Sequence, residues 1–232
     1  MVKVNRRKPA TKRSLKRREG TRNPGARVLI VCEGKETERR YFEAAIEKRG
    51  LLSVDVVIAH DCDSAPISVV QYAIDRCLRE GRPEDGGYTA VFCVFDRDQH
   101  ESYQRALAKI DAFKSRVIVP VPSIPCFEYW LVLHFYYTRA PYTPSGGRTA
   151  SDRAVDELRK IEGFADYEKS IKKHHLDNLM GRLPEAIKNA KKAADDAIAT
   201  EAENPCTKVF KVLEALDKLE ETSDVEAAKS NL

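Results

Sequence analysis

No apolar run in this 232-residue chain approaches the roughly 20 residues that span a bilayer, so no transmembrane helix is expected. The positively charged start is followed by no apolar stretch and does not read as a secretory signal. None of the six cysteines (Cys32, Cys62, Cys77, Cys93, Cys126, Cys206) forms a C-x-x-C pair, and Cys32 and Cys93 sit inside apolar runs as small core residues. That usage excludes a zinc site or disulfide framework and fits a reducing compartment, so the expectation is a soluble cytoplasmic protein away from membranes. Repeats at solenoid periods are missing. So is the phosphate-cradling G-x-x-x-x-G-K-[ST]: Gly34-Lys35 is followed by Glu36, and Leu29 stands where the first glycine belongs. The chain is therefore not expected to bind ATP itself.

Acidic residues are almost missing from one end only. Residues 1–27 carry 11 Lys or Arg against Glu19 alone; of 40 basic and 36 acidic residues in all, 29 and 35 remain for the rest, a net charge of −6. An acidic body carries a basic arm. Arg6, Arg7, Lys8, Lys12, Arg13, Lys16, Arg17 and Arg18 make that arm dense enough to meet a polyanion, nucleic acid foremost. The alternative is a solvated tail. Residues 1–25 read as disordered, ended by the turn signal Asn23-Pro24-Gly25.

Regular structure then starts abruptly. Val28–Cys32 is a short continuous apolar run, as expected of a strand buried on both faces. From Thr37 to Arg49, Tyr41, Phe42, Ala45 and Ile46 fall at helical spacing. Strands at Val54–Ala59, Thr89–Phe95 and Arg116–Val121 alternate with helical patterns through Ile67–Leu78 and Tyr103–Phe113. The alternation predicts an α/β core over 26–125 with a mainly parallel four-stranded sheet flanked by helices. Residues 126–232 read as a helical extension packed on that core: an aromatic helix from Cys126 to Tyr137 with the only tryptophan, Trp130, then helices near 151–162, 184–202 and 207–220. The Ala- and Lys-rich 184–202 pattern is expected to lie exposed.

Two acidic motifs leave predicted strands: Glu33-Gly34-Lys35-Glu36-Thr37-Glu38 after the first, and Asp96-Arg97-Asp98 after the third. In open parallel sheets, ligands sit beyond the carboxyl ends of the strands where strand order reverses. Bringing Glu33, Asp96 and Asp98 together there creates repulsion that a cation relieves. Hard oxygen ligands without nearby His or Cys select Mg²⁺ or Mn²⁺. Such an ion polarises a phosphoryl oxygen and activates water. The blander alternative is that these acids are helix-start or turn residues.

Three stretches carry a resemblance: Val31 to Glu38 with Tyr41-Phe42; Phe95-Asp96-Arg97-Asp98; and Pro125-Cys126-Phe127-Glu128-Tyr129-Trp130-Leu131-Val132-Leu133-His134-Phe135, with Asn204-Pro205-Cys206-Thr207 as a weaker fourth. The sequence resembles the RloB family of prokaryotic defence proteins, related to the Toprim nucleases. The resemblance implies a Toprim-like sheet, Glu33 as the family's acidic residue, Asp96 and Asp98 as its D-x-D pair, and a role in phage resistance beside an ATPase encoded nearby. Toprim enzymes give the acid at the place of Glu33 either metal ligation or proton transfer, and the alternatives stay open here.

Around that core set, Glu38, Glu128 and Lys35 are additional candidates, as metal ligands or, for Lys35, a point charge toward phosphate. Asp61 and Asp63 follow the second strand. His134 reads as a satisfied histidine. The cluster Lys169, Lys172, Lys173, His174 and His175 reads as a solvated helix face, with nucleic-acid contact as its alternative. Two functional readings follow. The first is a Mg²⁺- or Mn²⁺-dependent nuclease acting on RNA or DNA. The second is a catalytically silent nucleic-acid-binding or regulatory subunit of an ATPase-containing defence complex. A D-x-D-x-T phosphohydrolase is disfavoured, because Gln99 and His100 follow Asp98.

Overall fold

The computed structural model describes residues 26–34, 36–51, 56–59, 65–97, 101–114 and 117–230. The basic arm, Lys35, Asp61, Asp63 and Asp98 lie outside the described residues. Among those described, no helix is long and apolar enough to cross a membrane, and the cysteines are free.

The fold is α/β. Strands β1 (Val28–Cys32), β2 (Val56–Ala59), β3 (Ala90–Asp96) and β4 (Ile118–Ile124) pair in parallel, and the two-residue β5 (Cys206–Thr207) adds antiparallel to β4. The order is β2-β1-β3-β4-β5. Every residue of β1 is buried, because both sheet faces are covered. Leu29, Val31, Val91, Cys93 and Phe95 point to helices α2 (Pro66–Glu80) and α3 (Tyr103–Phe113). Val28, Ile30, Cys32, Phe92 and Val94 point to α1 (Thr37–Lys48) and to the helices after residue 126. The chain therefore changes direction between β1 and β3, which is the switch point where a ligand crevice is expected.

The C-terminal half departs from its sequence pattern. The aromatic segment forms only a five-residue helix, α4 (Glu128–Val132), not one from Cys126 to Tyr137. Its continuation tightens into i→i−3 bonds, His134 N–H to Leu131 and Phe135 N–H to Val132. The carbonyls that would extend it are taken by side chains: Trp130 by the His134 ring and Leu133 by Asn189 Nδ2 at 2.9 Å. Then come α5 (Ala150–Arg159), α6 (Lys173–Met180), α7 (Leu183–Ala199) and α8 (Phe210–Ser230). The alanine-rich α7 is not an exposed helix. Leu183, Ala186, Ala190, Ala193 and Ala197 form a buried stripe, and small side chains let its backbone approach α8 and β5 closely. β5 was not expected as a strand. It follows from β4, whose Pro120 and Pro122 cannot donate to a neighbour, so a further strand finds pairing only at Ser123 and Ile124. There the buried Ser123 and Thr207 hydroxyls meet at 2.9 Å.

Candidate active site

The apolar run of β1 ends at Cys32, and the next residue carries the first acid. Glu33 continues the ladder, its N–H bonding the Val94 carbonyl at 3.0 Å, while its Oε2 accepts the Asp96 N–H at 3.0 Å. One side chain thus ties the exits of two adjacent parallel strands together. Gly34 leaves room for the Glu38 carboxylate, which a Cβ at that position would push out of place. Glu38, second residue of α1, folds back to accept the backbone N–H groups of Gly34 and of its own residue. These bonds hold a carboxylate at the helix start, where the dipole favours it.

The fourth acid comes from the aromatic segment. Glu128 opens α4, only 7% exposed, and Tyr167 O–H donates to its Oε1 at 2.9 Å. The Tyr167 hydroxyl also lies 3.2 Å from that of Thr37, whose own O–H donates to the Lys169 carbonyl at 3.0 Å. Glu38, Asp96 and Glu128 line one cavity of about 330 Å³ with Gly34, Cys126, Ser151 and Lys169. The field there is strongly negative. Burial, followed by the Glu128 and Glu33 charges, pushes the Glu38 carboxyl from 4.5 up to about 7. Burial and the charges of Glu128 and Asp96 likewise push the Cys126 thiol well above its usual range. This cysteine is a protonated wall residue and no nucleophile at neutral pH.

Glu33, Glu38, Asp96 and Glu128 therefore belong to one constellation at the β1/β3 switch point. These donors fit a hard divalent cation. All are carboxylate oxygens, the Glu128 and Glu33 charges help raise the proton affinity of Glu38, and the Ser151 hydroxyl lining the same cavity is buried with no partner among the described residues. Tyr167 and Ser151 were not singled out in the sequence. They lie far along the chain from the strand exits, and no local pattern marks them.

Other candidates are structural. His134 is fully buried, its Nδ1–H on the Trp130 carbonyl and its Nε2 accepting from Tyr41 O–H, both at 3.0 Å. Burial lowers its pKa to about 3, so it stays neutral. Trp130 packs edge-on against Tyr41 with no exposure, as core. Of the cluster near α6, Lys169, Lys172, Lys173 and His174 are exposed as a solvated face requires, and only His175 departs from that reading. His175 is buried and stacks on Phe164, and both histidines meet Asp166. Asp166, His174 and His175 have metal-like spacing, but the hydrogen bonding runs the wrong way. Lys172 N–H donates to His175 Nδ1 at 3.1 Å, which puts the ring proton on Nε2, the atom facing Asp166. A metal-ligating imidazole does the reverse, donating from the ring nitrogen away from the ion. Lys172 Nζ, 2.6 Å from Asp166, already supplies the cation, and its hydrogen bond leads those that hold the Asp166 carboxyl below its usual range. A larger cavity of about 680 Å³ lies on the β4–β5 side. Its Arg97 is paired with Glu203 at 2.5 Å, and its lining is mostly apolar.

A model of the RloB-like protein family matches residues 28–216. The match takes in every described member of the acidic constellation and ends inside α8. No curated protein and no solved structure matches the chain.

Proposed function

The chain belongs to the RloB-like family, and from that premise we propose that it is a divalent-cation-dependent nuclease that cuts RNA or DNA phosphodiesters in defence against phage. The observation that carries the reading is the convergence of Glu38, Asp96 and Glu128, from three different elements, on one cavity at the β1/β3 switch point, with Glu33 bonded to the Asp96 N–H and its charge felt by Glu38. Clustered carboxylates repel, so a fold that keeps four of them has a use for a cation. Glu33, Glu38, Asp96 and Glu128 would hold Mg²⁺ or Mn²⁺, with Asp98 completing the set. When bound, the ion supplies Lewis acidity toward a phosphoryl oxygen and a more acidic water.

The chain's own groups do the positioning. The Asp96 N–H orients Glu33, and Tyr167 orients Glu128. The Glu38 carboxyl, raised to about 7, is partly protonated near neutral pH and would have to lose that proton to serve as a cation ligand. The basic arm, with Lys35, gathers nucleic acid, and an ATPase encoded nearby is the expected partner.

The test is cleavage of labelled tRNA, single-stranded RNA and plasmid DNA in Mg²⁺, Mn²⁺ or EDTA. Wild-type protein should cut at least one substrate in metal and none in EDTA. Glu33→Ala and Asp96→Ala should each lower the rate by about 10²–10⁴-fold. Metal binding without any cutting would reject the nuclease and leave the silent subunit of an ATPase complex.

A further inference from the structure

A cavity lined by Glu36, Glu38, Asp96 and Glu128 repels the phosphodiester it is meant to receive, so something on its wall has to admit the anion. Two lining residues have the chemistry. Ser151 is 5% exposed, and its hydroxyl has no hydrogen-bond partner among the described residues. Leaving a buried hydroxyl unpaired is costly, so its presence marks a place where a ligand or water supplies the missing bond. Ser151 is the second residue of the ten-residue α5, started by a capping box between Thr149 and Asp152. The hydroxyl therefore stands at the positive end of a well-formed helix.

Lys169 is the only cationic side chain lining the cavity among the described residues. Its backbone is fixed in the left-handed region at φ 57°, with the carbonyl held by Thr37. Two residues earlier, Arg159 Nε donates to the Tyr167 carbonyl at 2.8 Å. Its ammonium, by contrast, is barely engaged: the side chain is 59% exposed, and Asp152 lies 3.8 Å away. An exposed pair of that length contributes little and yields readily to a phosphate. The next cavity beyond Lys169, lined by Arg148, Asp152, Arg159 and Glu168, is mixed in charge. Lys169 is thus a single grip point and not part of a uniform basic strip.

Resting on the nuclease reading for the identity of the substrate, we propose that Ser151 and Lys169 form the phosphate-binding wall of the acidic cavity. Ser151 O–H donates to one non-bridging oxygen of the phosphodiester and the Lys169 ammonium pairs with another. The carboxylates are left to the cation.

The test is binding of full-length protein to a labelled single-stranded oligonucleotide, RNA and DNA in turn, by fluorescence anisotropy across a salt series in Ca²⁺ and in EDTA. Lys169→Ala should weaken binding about three- to tenfold and lower the slope of log affinity against log salt by about one, while Lys169→Arg restores both. Ser151→Ala should weaken binding about two- to tenfold without lowering the melting temperature, because the hydroxyl it removes has no protein partner. Lys188→Ala, at an exposed position on α7, should change neither quantity. Wild-type affinity and slope in both Lys169→Ala and Ser151→Ala would overturn the proposal, whether or not the protein cuts. A Lys169-dependent slope in a wild-type protein that never cuts would keep the phosphate wall and reject the nuclease.

Discussion

Glu38 and His134 are both buried, and both have proton affinities displaced from their ordinary values, in opposite senses. The native state raises the Glu38 carboxyl from 4.5 to about 7, so between those values it holds a proton that the unfolded chain has lost. Stability from this residue therefore falls as pH rises through that window and is fully lost above it, by about 3 kcal/mol. His134 works the other way. Its folded value of about 3 means that only the unfolded chain takes a proton as pH drops below 6.5, so its contribution is lost toward acid. Between about pH 4.5 and 6.5 the two slopes oppose each other, and a wild-type curve alone hides both. The difference between wild type and Glu38→Gln removes the histidine. In EDTA, the variant should gain about 2–3 kcal/mol on wild type between pH 5 and 8, read by urea unfolding. Mg²⁺ or Mn²⁺ should shrink that gain by stabilising wild type more. A gain that does not change with pH would mean that Glu38 is not held protonated by burial and the neighbouring charges. At this scale the sequence showed Glu33, Glu38, Asp96 and Glu128, because acids at strand exits and helix starts have a local signature. Tyr167, Ser151 and Lys169 join them only through tertiary packing, over separations such as the 130 residues between Thr37 and Tyr167.

Elements were legible where period and packing agree. β1 and β3 are continuous apolar runs, and α1 to α3 bury one stripe each, so pattern and burial coincide. α4 and α7 were misread for one shared reason: side-chain volume and capping in the folded state decided their fates. A dense apolar run became a five-residue helix because Asn189 and His134 claimed its carbonyls. A run of alanines became core because a neighbour came close enough to cover it. α5 offers a test at this scale, since its first turn presents Ser151 and its start depends on Thr149. Thr149 Oγ1 accepts from Asp152 N–H at 3.1 Å, and the Asp152 carboxylate accepts from Thr149 N–H at 3.0 Å. Thr149→Ala should destabilise the protein by about 0.5–2 kcal/mol, whereas Thr149→Gly costs only a few tenths. Because the cap also fixes where Ser151 sits, oligonucleotide affinity in Thr149→Ala should fall toward that of Ser151→Ala. Equal melting temperatures for wild type and the alanine variant would show that the cap is dispensable and that α5 is held by its contacts with α4 alone.

For the molecule as a whole, charge is divided between two parts with different duties. The body from residue 28 onward carries a net −6 and concentrates four acids in one cavity, while residues 1–27 carry 11 positive charges. Acting alone, such a body would repel nucleic acid over a Debye length of about 8 Å at physiological salt. The arm reverses that balance by releasing counterions from the phosphate backbone, a term that scales with the number of phosphates neutralised and carries no sequence information. It should govern encounter, and Lys169 with Ser151 should govern placement of one phosphate. The two roles separate experimentally. Deleting residues 1–24 should weaken oligonucleotide binding by at least tenfold at moderate salt and flatten the salt dependence by several units, since up to ten cations are removed. Lys169→Ala should remove only about one unit. In cleavage, the deletion should raise KM and leave kcat nearly unchanged, because the arm binds ground and transition states alike. Equal salt slopes for the truncated and full-length proteins would make the arm a solvated tail and leave nucleic-acid capture to the cavity rim. A fall in kcat as large as the rise in KM would place part of the arm at the reacting phosphate.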